Sequence, residues 1–501
     1  RVDRHGCLDS DGDGVSDVND ICPFDSINQC NPNSLADQSE WIIEAPHNED
    51  QGVQSPDLAF TATEAIGNDT IIAGKYDSNS TLGDWNITDN GTGGASGFVG
   101  ILNETGSWQW VATTGGTGDV NINVVTPDGQ GGVFVGGSLA YTVDFGSQRT
   151  YDSGGGDWQP FVAHLNSTGH WQWATRATTS SVGGEVNDIA VMSDGGIAVT
   201  GDFTNYLRWD GVHEIHSDSE RGAFIARINA SGGPEWWASL GSSNNYQGNA
   251  IVVDSLDNIY VTGRCHSSTN YRMRDITGAD TGAIAITFAS GGSCNSWDTN
   301  RGEAFVARIS SSGAYQWFEA VGGEGWGVDI DFLSNGNLLM MSTGSNNQGD
   351  NVGRGIKFTE FTKGGAMAGS AIYCCYNSGQ SYMQPSSMFL AQEIYSPPDY
   401  IRGHSTSLTL GATPADIIWI TGTIRGDSMN WAGGGTVEEN YGNGDAFLYA
   451  FNWNDKSWIQ NRIVEYGGAG SDTAVGIAGH HDGRVVVIGE RSGDYNATFG
   501  P

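Results

Sequence analysis

Near the start of the chain five aspartates stand at a telling spacing: Asp9, Asp11, Asp13, Asp17 and Asp20, with Gly14 among them. They occupy positions 1, 3, 5, 9 and 12 of a twelve-residue loop. Position 7 is Val15, which offers its carbonyl, and position 6 is the glycine that permits a sharp turn. Oxygen ligands in that order wrap a hard divalent cation, so the chemistry expected here is Ca2+ binding through Asp9, Asp11, Asp13, Val15, Asp17 and Asp20. An acidic linker would supply the charge but not this register.

Other reactive or modifiable residues carry less. Seven cysteines fall in three clusters: Cys7, Cys22 and Cys30; Cys265 and Cys294; Cys374 and Cys375. None is accompanied by histidines at zinc-ligand spacing, which favours disulfides in an oxidising compartment, with Cys265–Cys294 stapling one long insertion. The odd count leaves one cysteine unpaired or bonded to another molecule. Asn-x-Ser/Thr triplets make Asn68, Asn79, Asn86, Asn90, Asn103, Asn166, Asn229 and Asn496 glycosylation candidates, against the background that a chain rich in Gly, Asn, Ser and Thr forms such triplets by chance. His480-His481-Asp482 sits where Asp-Gly turns recur and reads as a turn. His213 and His216 read as a surface pair. No nucleophile elbow, zinc-protease helix or phosphate loop is present, so no catalytic set is expected. Trp85, Trp209, Trp297 and Trp431 could stack on sugar rings, but packing between repeats is the favoured reading.

The elements that must position these residues are repetitive. An apolar strand ending in a basic residue leads through a Gly turn to a tryptophan strand: Phe161 to Leu165 then Trp171-Gln172-Trp173, Phe224 to Ile228 then Trp236-Trp237, Phe305 to Ile309 then Gln316-Trp317-Phe318. A strand ending in Thr-Gly serves as a ruler, with copies at 70–74, 132–137, 197–201, 259–263, 338–344, 417–422 and 485–489. Each unit thus holds four short strands, here called a to d in chain order. Seven such units predict an all-β fold, a seven-bladed β-propeller of four-stranded blades, because one small sheet cannot bury its faces alone. The expected domains are a small segment over 1–32 and the propeller over 33–501, with long insertions near 264–301 and 345–386. The apolar strand c occurs six times, near Phe98, Phe161, Phe224, Phe305, Phe389 and Phe447. Trp41 to Glu44 resembles a strand d, and the last repeat stops after strand b. The seventh sheet would then lack its third strand, which either continued chain or another molecule must supply.

Composition agrees with this frame. Glycine is abundant at 75 of 501 residues and proline scarce at 12, as many tight turns require. With 58 acidic and 22 basic residues the net charge is −36, which repels phosphate backbones and excludes nucleic acid as the expected partner. No run of about 18 apolar residues exists, so no membrane span is expected. Arg1 follows no apolar signal segment, and the chain reads as a mature or trimmed form.

Two resemblances sharpen these expectations. The stretch from Asp9 to Cys22 follows Asp-x-Asp-x-Asp-Gly-x-x-Asp-x-x-Asp-x-Cys and resembles a thrombospondin type 3 repeat over about the first 30 residues. Asp20 stands where a helix-flanked calcium hand has Glu, and no amphipathic helices flank the loop. The resemblance implies a calcium-wound segment with little apolar core, stapled by disulfides of Cys7, Cys22 and Cys30, in an extracellular protein. From about 41 to 500 the Val-Thr-Gly and Phe-Val-Ala-Arg strands resemble SBBP-type repeat propellers of bacterial and archaeal surface proteins. The expectation is therefore an extracellular or cell-surface structural or adhesive protein, not an enzyme, associating head to tail with its own copies into a filament. The competing expectation is a secreted propeller that binds surface glycans or acts on them.

Overall fold

The computed structural model describes residues 58–89, 94–180, 183–209, 211, 213–217, 221–240, 246–265, 272–275, 284–285, 302–321, 325–344, 355–373, 382–391, 416–425, 428–430, 436–438, 445–466, 472–480 and 485–490. These residues are almost entirely antiparallel β. Alternating β-branched and small residues bounded by Gly, Asp and Asn fold into short strands joined by tight turns.

The first sheet holds β1 (Leu58–Ile66), β2 (Asp69–Tyr76), β3 (Ser96–Leu102) and β4 (Trp108–Thr113) in that order. The second holds β5 (Asp119–Pro127), β6 (Val133–Ala140), β7 (Gln159–Leu165) and β8 (Trp171–Arg176). The third holds β9 (Gly184–Val191), β10 (Ile197–Phe203), β11 (Gly222–Ile228) and β12 (Pro234–Leu240). The fourth is built from β13 (Gln247–Val253), β14 (Ile259–Cys265), β15 (Glu303–Ile309) and β16 (Tyr315–Val321). The fifth has β17 (Gly327–Phe332), β18 (Leu338–Gly344), β19 (Gly355–Phe361) and β20 (Met367–Tyr373). The sixth has β21 (Tyr382–Ala391), β22 (Ile417–Arg425), β23 (Asp445–Asn452) and β24 (Ser457–Tyr466). Last comes a two-stranded sheet, β25 (Thr473–Gly479) with β26 (Val485–Glu490).

Strand a of each sheet lies beside strand a of the next, and β25 lies beside both β21 and β1, so the succession returns to its start. Seven apolar clusters fill the spaces between neighbouring sheets. Ile251 and Phe305 of the fourth sheet, for example, pack on Ala190 and Ile225 of the third, while Ile477 packs on Phe389 and Trp419, and Ile488 on Leu58 and Ile72. Each sheet is thus apolar on both faces, which is why its strands read as near-continuous apolar runs.

Within a sheet, strand b carries a glycine and strand c a phenylalanine directly opposite: Gly74 with Phe98, Gly137 with Phe161, Gly201 with Phe224, Gly263 with Phe305, Gly422 with Phe447. A side chain on Gly201 would meet the Glu185 carbonyl oxygen at less than 3.0 Å, so the Thr-Gly signature marks backbone closeness.

Three expectations are corrected. The stretch 345–386 is not simply an insertion, because β19 and β20 within it are strands c and d of the fifth sheet. They lack the Phe-Val-Ala-Arg and Trp residues that mark those strands elsewhere. Phe389 lies on β21, a strand a, rather than on a strand c. In the fifth sheet the residue opposite strand a at the glycine position is Ser342, not Gly344, which instead pairs with Gly355. The other insertion holds Arg272–Asp275 and Ile284–Ala285, which extend the third sheet beyond β12. Short hairpins lie between strands b and c, such as Thr142–Phe145 with Arg149–Asp152 and Tyr206–Arg208 with Glu214–His216.

Candidate functional site

Every strand a is interrupted once. Pairing with strand b skips Thr61, Asn123, Asn187, Asn249, Val328, Ser386 and Val475, one residue in each of the seven sheets. A bulge of this kind re-aims a side chain out of the pleat. Here five of them reach the backbone of the following sheet. Thr61 donates to the Ile122 carbonyl, Asn123 to Val186 at 3.0 Å, Asn187 to Gly248 at 2.9 Å, Asn249 to Gly327 at 2.7 Å, and Ser386 to Ala474. The innermost strands are therefore laced by side-chain to backbone bonds, each ending on the carbonyl just before the next sheet's bulge.

On this belt stands the chemically most unusual group. Glu185 on β9 and Asp202 on β10 are direct cross-strand partners, so both carboxyls emerge on one side of the third sheet. Asp202 is completely buried and Glu185 half-buried. The Asn187 amide donates to Asp202 at 3.3 Å, and Arg221 Nε lies 2.7 Å from its other oxygen. Asn123 of the second sheet donates to Glu185 at 3.1 Å, and Lys75 reaches Asn121 at 3.4 Å. Burial is the largest influence on Asp202 and raises its pKa. Arg221 opposes it, Glu185 adds its own charge and a shared hydrogen bond, and the result is a carboxyl pushed up to about 7. Asp202 therefore keeps its proton up to near neutrality and can give or take it there, with the Glu185 carboxyl as its hydrogen-bond neighbour. Sequence reasoning missed the pair, since Glu185 and Asp202 lie 17 positions apart and meet only through a bulged register. The available signal was the charged residue following the Thr-Gly strand end, as at Lys75, Asp202, Arg264 and Glu490.

The outer rim uses tryptophan. Trp110, Trp173, Trp236 and Trp317 of one sheet lie over Gly169, Gly232, Gly313 and Gly365 in the c–d turn of the next. These glycines have φ between +76° and +90°, a conformation that also bars most side chains. The indole N–H of Trp173, Trp236 and Trp317 donates to the carbonyls of Ala230, Ser311 and Lys363 at 2.9–3.0 Å. The repeated tryptophans of these four sheets therefore clamp neighbours together. Trp209 is buried, with its indole on Thr175, whereas Trp85 is exposed; Trp297 and Trp431 lie outside the described residues.

Three of the triplet asparagines have a structural task in the same turns. Asn103, Asn166 and Asn229 each accept two backbone N–H bonds across the c–d turn, and Ser310 and Thr362 take the same position in later sheets. That cap explains why the triplet recurs there. Asn68, Asn79 and Asn86 are exposed near the first sheet, and Asn90 and Asn496 lie outside the described residues. His480 is buried and bonds Thr70 at 2.9 Å, which ties the turn after β25 to the first sheet. Cys265 closes β14 and is disulfide-bonded. Cys7, Cys22, Cys30, Cys294, Cys374 and Cys375, together with the residues expected to bind calcium, Asp9 to Asp20, lie outside the described residues. His216 contacts Glu214 at 3.3 Å, and among the described residues no group of three metal-ligating side chains converges. No helix among them is long and apolar enough to cross a membrane.

Residues 235–271 match the SBBP beta-propeller repeat model. The match runs from β12 through β13 and β14, spanning the step from one sheet to the next. No curated protein sequence matches the chain. Among solved structures, an ulvan lyase of a polysaccharide lyase family, with a saccharide bound, aligns over 87% of this chain and 90% of its own, at 10% identity and a TM-score of 0.37. A protein of unknown function from Bacteroides caccae aligns over 56% of this chain and 78% of its own, at 12% identity and a TM-score of 0.27.

Proposed function

We propose that the protein is an extracellular structural or adhesive subunit: a seven-bladed β-propeller, its blades the seven sheets, carrying a calcium-wound, disulfide-stapled leader over 1–32 and associating with its own copies. The observation that carries this reading is the state of the last sheet. In β6 and β10 every residue is buried, whereas along β26 Val485, Val486 and Val487 are half-exposed and Gly489 and Glu490 exposed. Among the described residues no strand pairs with the outer edge of β26; an apolar edge so exposed invites pairing with another chain, and proteins that must stay apart cover or charge such edges. An edge on one side of a ring makes a heterologous contact, which propagates unless its rotation closes.

Calcium has two tasks in this reading. It folds a leader too small to be stable by burial, and it offsets the repulsion between copies that each carry −36. Light scattering and electron microscopy of the purified chain, in millimolar calcium and in chelator, test the proposal. Concentration-dependent assemblies that dissolve on chelation are expected. A monomer under both conditions at all concentrations overturns it.

A further inference from the structure

The open edge of β26 has a definite shape, and five other sheets show what fits it. Opposite the strand-b glycine each of those sheets places a phenylalanine that is completely buried: Phe98, Phe161, Phe224, Phe305 and Phe447. The ring lies across the glycine, so closely that a methyl group on Gly74 or Gly201 would meet its edge at 2.8–2.9 Å. Those five glycines are buried, but Gly489 is exposed although its strand-a side is as tight as theirs, with the Thr473 carbonyl less than 3.0 Å from any added side chain. Among the described residues nothing covers the half of the site that a phenylalanine fills in the other sheets.

A second observation lies across the interface. Trp171 and Ala174 on β8 face the preceding sheet and are buried; the equivalent Trp108 and Val111 on β4 face the seventh sheet and are only half-buried. The exposure is thus shared by both walls of one slot. One wall is the outer edge of β26 and the other the outer part of the first sheet. Transferring the β14–β15 register fixes the ligand's alignment. Ile309 pairs with Ile259 and Phe305 with Gly263, so an occupant of the same type would set an aliphatic residue against Val485, an alanine against Val487, and its phenylalanine against Gly489.

We propose that this slot binds an extended segment of another polypeptide, antiparallel to β26, whose phenylalanine covers Gly489 and whose alternate residues are small or β-branched. The proposal deepens the assembly reading by naming the chemistry of the inserted strand, and it rests on that reading for the identity of the donor as another molecule. Main-chain bonds to the strand edge would supply the pairing and the phenylalanine the register, since a shift by one residue would turn the ring out of its slot.

The test adds a labelled synthetic peptide with the sequence of residues 303–309 to the full-length protein in calcium, read by fluorescence anisotropy and by amide hydrogen exchange. Saturable binding with slowed exchange over 485–490 is expected. A peptide with Ala in place of the residue corresponding to Phe305 should bind about tenfold or more weakly, in line with the loss of a buried aromatic ring. A scrambled peptide should not bind. Absence of binding, equal binding of the scrambled peptide, or protection only elsewhere overturns the slot, including the case in which the chain's own segment already fills it. Light scattering on the same samples keeps the two readings apart. Peptide binding by a protein that never assembles rejects the assembly and retains the slot, whereas assemblies indifferent to the peptide reject the slot alone.

Discussion

Replacing Asp202 by Asn should flatten one part of the protein's pH-stability profile. Asp202 is buried at the root of β10, opposite Glu185, with one oxygen near the Asn187 amide and the other beside Arg221. Burial and the neighbouring carboxyl together move it from 3.8 to about 7. The folded state therefore holds a proton that the unfolded chain has released over the intervening range. A raised carboxyl contributes stability that is complete below its unfolded value and is lost as pH rises through its folded one. At roughly 1.4 kcal/mol per pH step the ceiling is about 4 kcal/mol between pH 4 and 7. The coupling to Glu185 makes about half of that a fair expectation.

Asparagine keeps the shape and can hydrogen-bond Glu185 at every pH, so D202N should equal or exceed the parent in stability at pH 8 and fall below or match it at pH 5. Other carboxyls act in the opposite sense. Asp128, despite its burial, is lowered by His164 and two backbone amides, so the difference between parent and variant is the informative quantity. Urea midpoints at half-unit steps from pH 4.5 to 8.5, with hydrogen exchange over 197–203, measure it. A D202N deficit that is constant across that range would show that the carboxyl acts as an ordinary buried ion-pair partner and would refute the argument from a raised Asp202.

Two further outcomes are expected. Trp236→Ala uncovers Gly313 and removes the bond to Ser311, and should cost about 2–4 kcal/mol, seen as a lowered thermal midpoint, with Trp236→Phe recovering the packing but not the indole bond. Calcium removal should open residues 3–30 to protease within minutes while fragments of the ring persist on a gel; equal resistance with and without chelator would remove the metal from the leader.

The repeated architecture was legible because its markers are steric necessities: glycine where a bulged strand presses on strand b, phenylalanine covering it, tryptophan lying over the turn glycine of the next sheet. Where other residues meet the same needs, legibility failed. Met367 begins β20 without a tryptophan, and Ile356-Lys357-Phe358 on β19 has no Ala-Arg ending, so two regular strands read as an insertion. The bulge itself was invisible, because Thr61, Asn123, Asn187, Asn249, Val328, Ser386 and Val475 are of four residue types and have in common only a place in a register that pairing alone defines. The carboxyl pair failed for the same reason. The expected calcium loop differs in kind: its signal lies wholly in local spacing, which needs no partner strand, and its residues lie outside the described ones.

The lacing of the innermost strands explains how such repetitive apolar strands settle on one order. Apolar clusters between sheets are non-directional and would tolerate a sheet sliding against its neighbour. A bulge side chain that must reach one carbonyl tolerates no slide, since a slip leaves both groups buried and unpaired at about 1–3 kcal/mol each. At two of the seven steps the bulge residue is valine and cannot serve. At Val328 the adjacent Asp329 accepts the Met388 amide, and Ser334 and Trp453 join the fifth and sixth sheets through Asp416 and Glu360. At Val475 the task passes to His480, buried against Thr70. At the step that brings the last sheet to the first, the His480 ring bonds Thr70 and lies 3.4 Å from the Gly67 carbonyl, and this seam borders the edge of β26. A strand entering the slot along β26 would add its backbone bonds beside this imidazole-tied seam, so its binding should also slow exchange at Thr70 and His480.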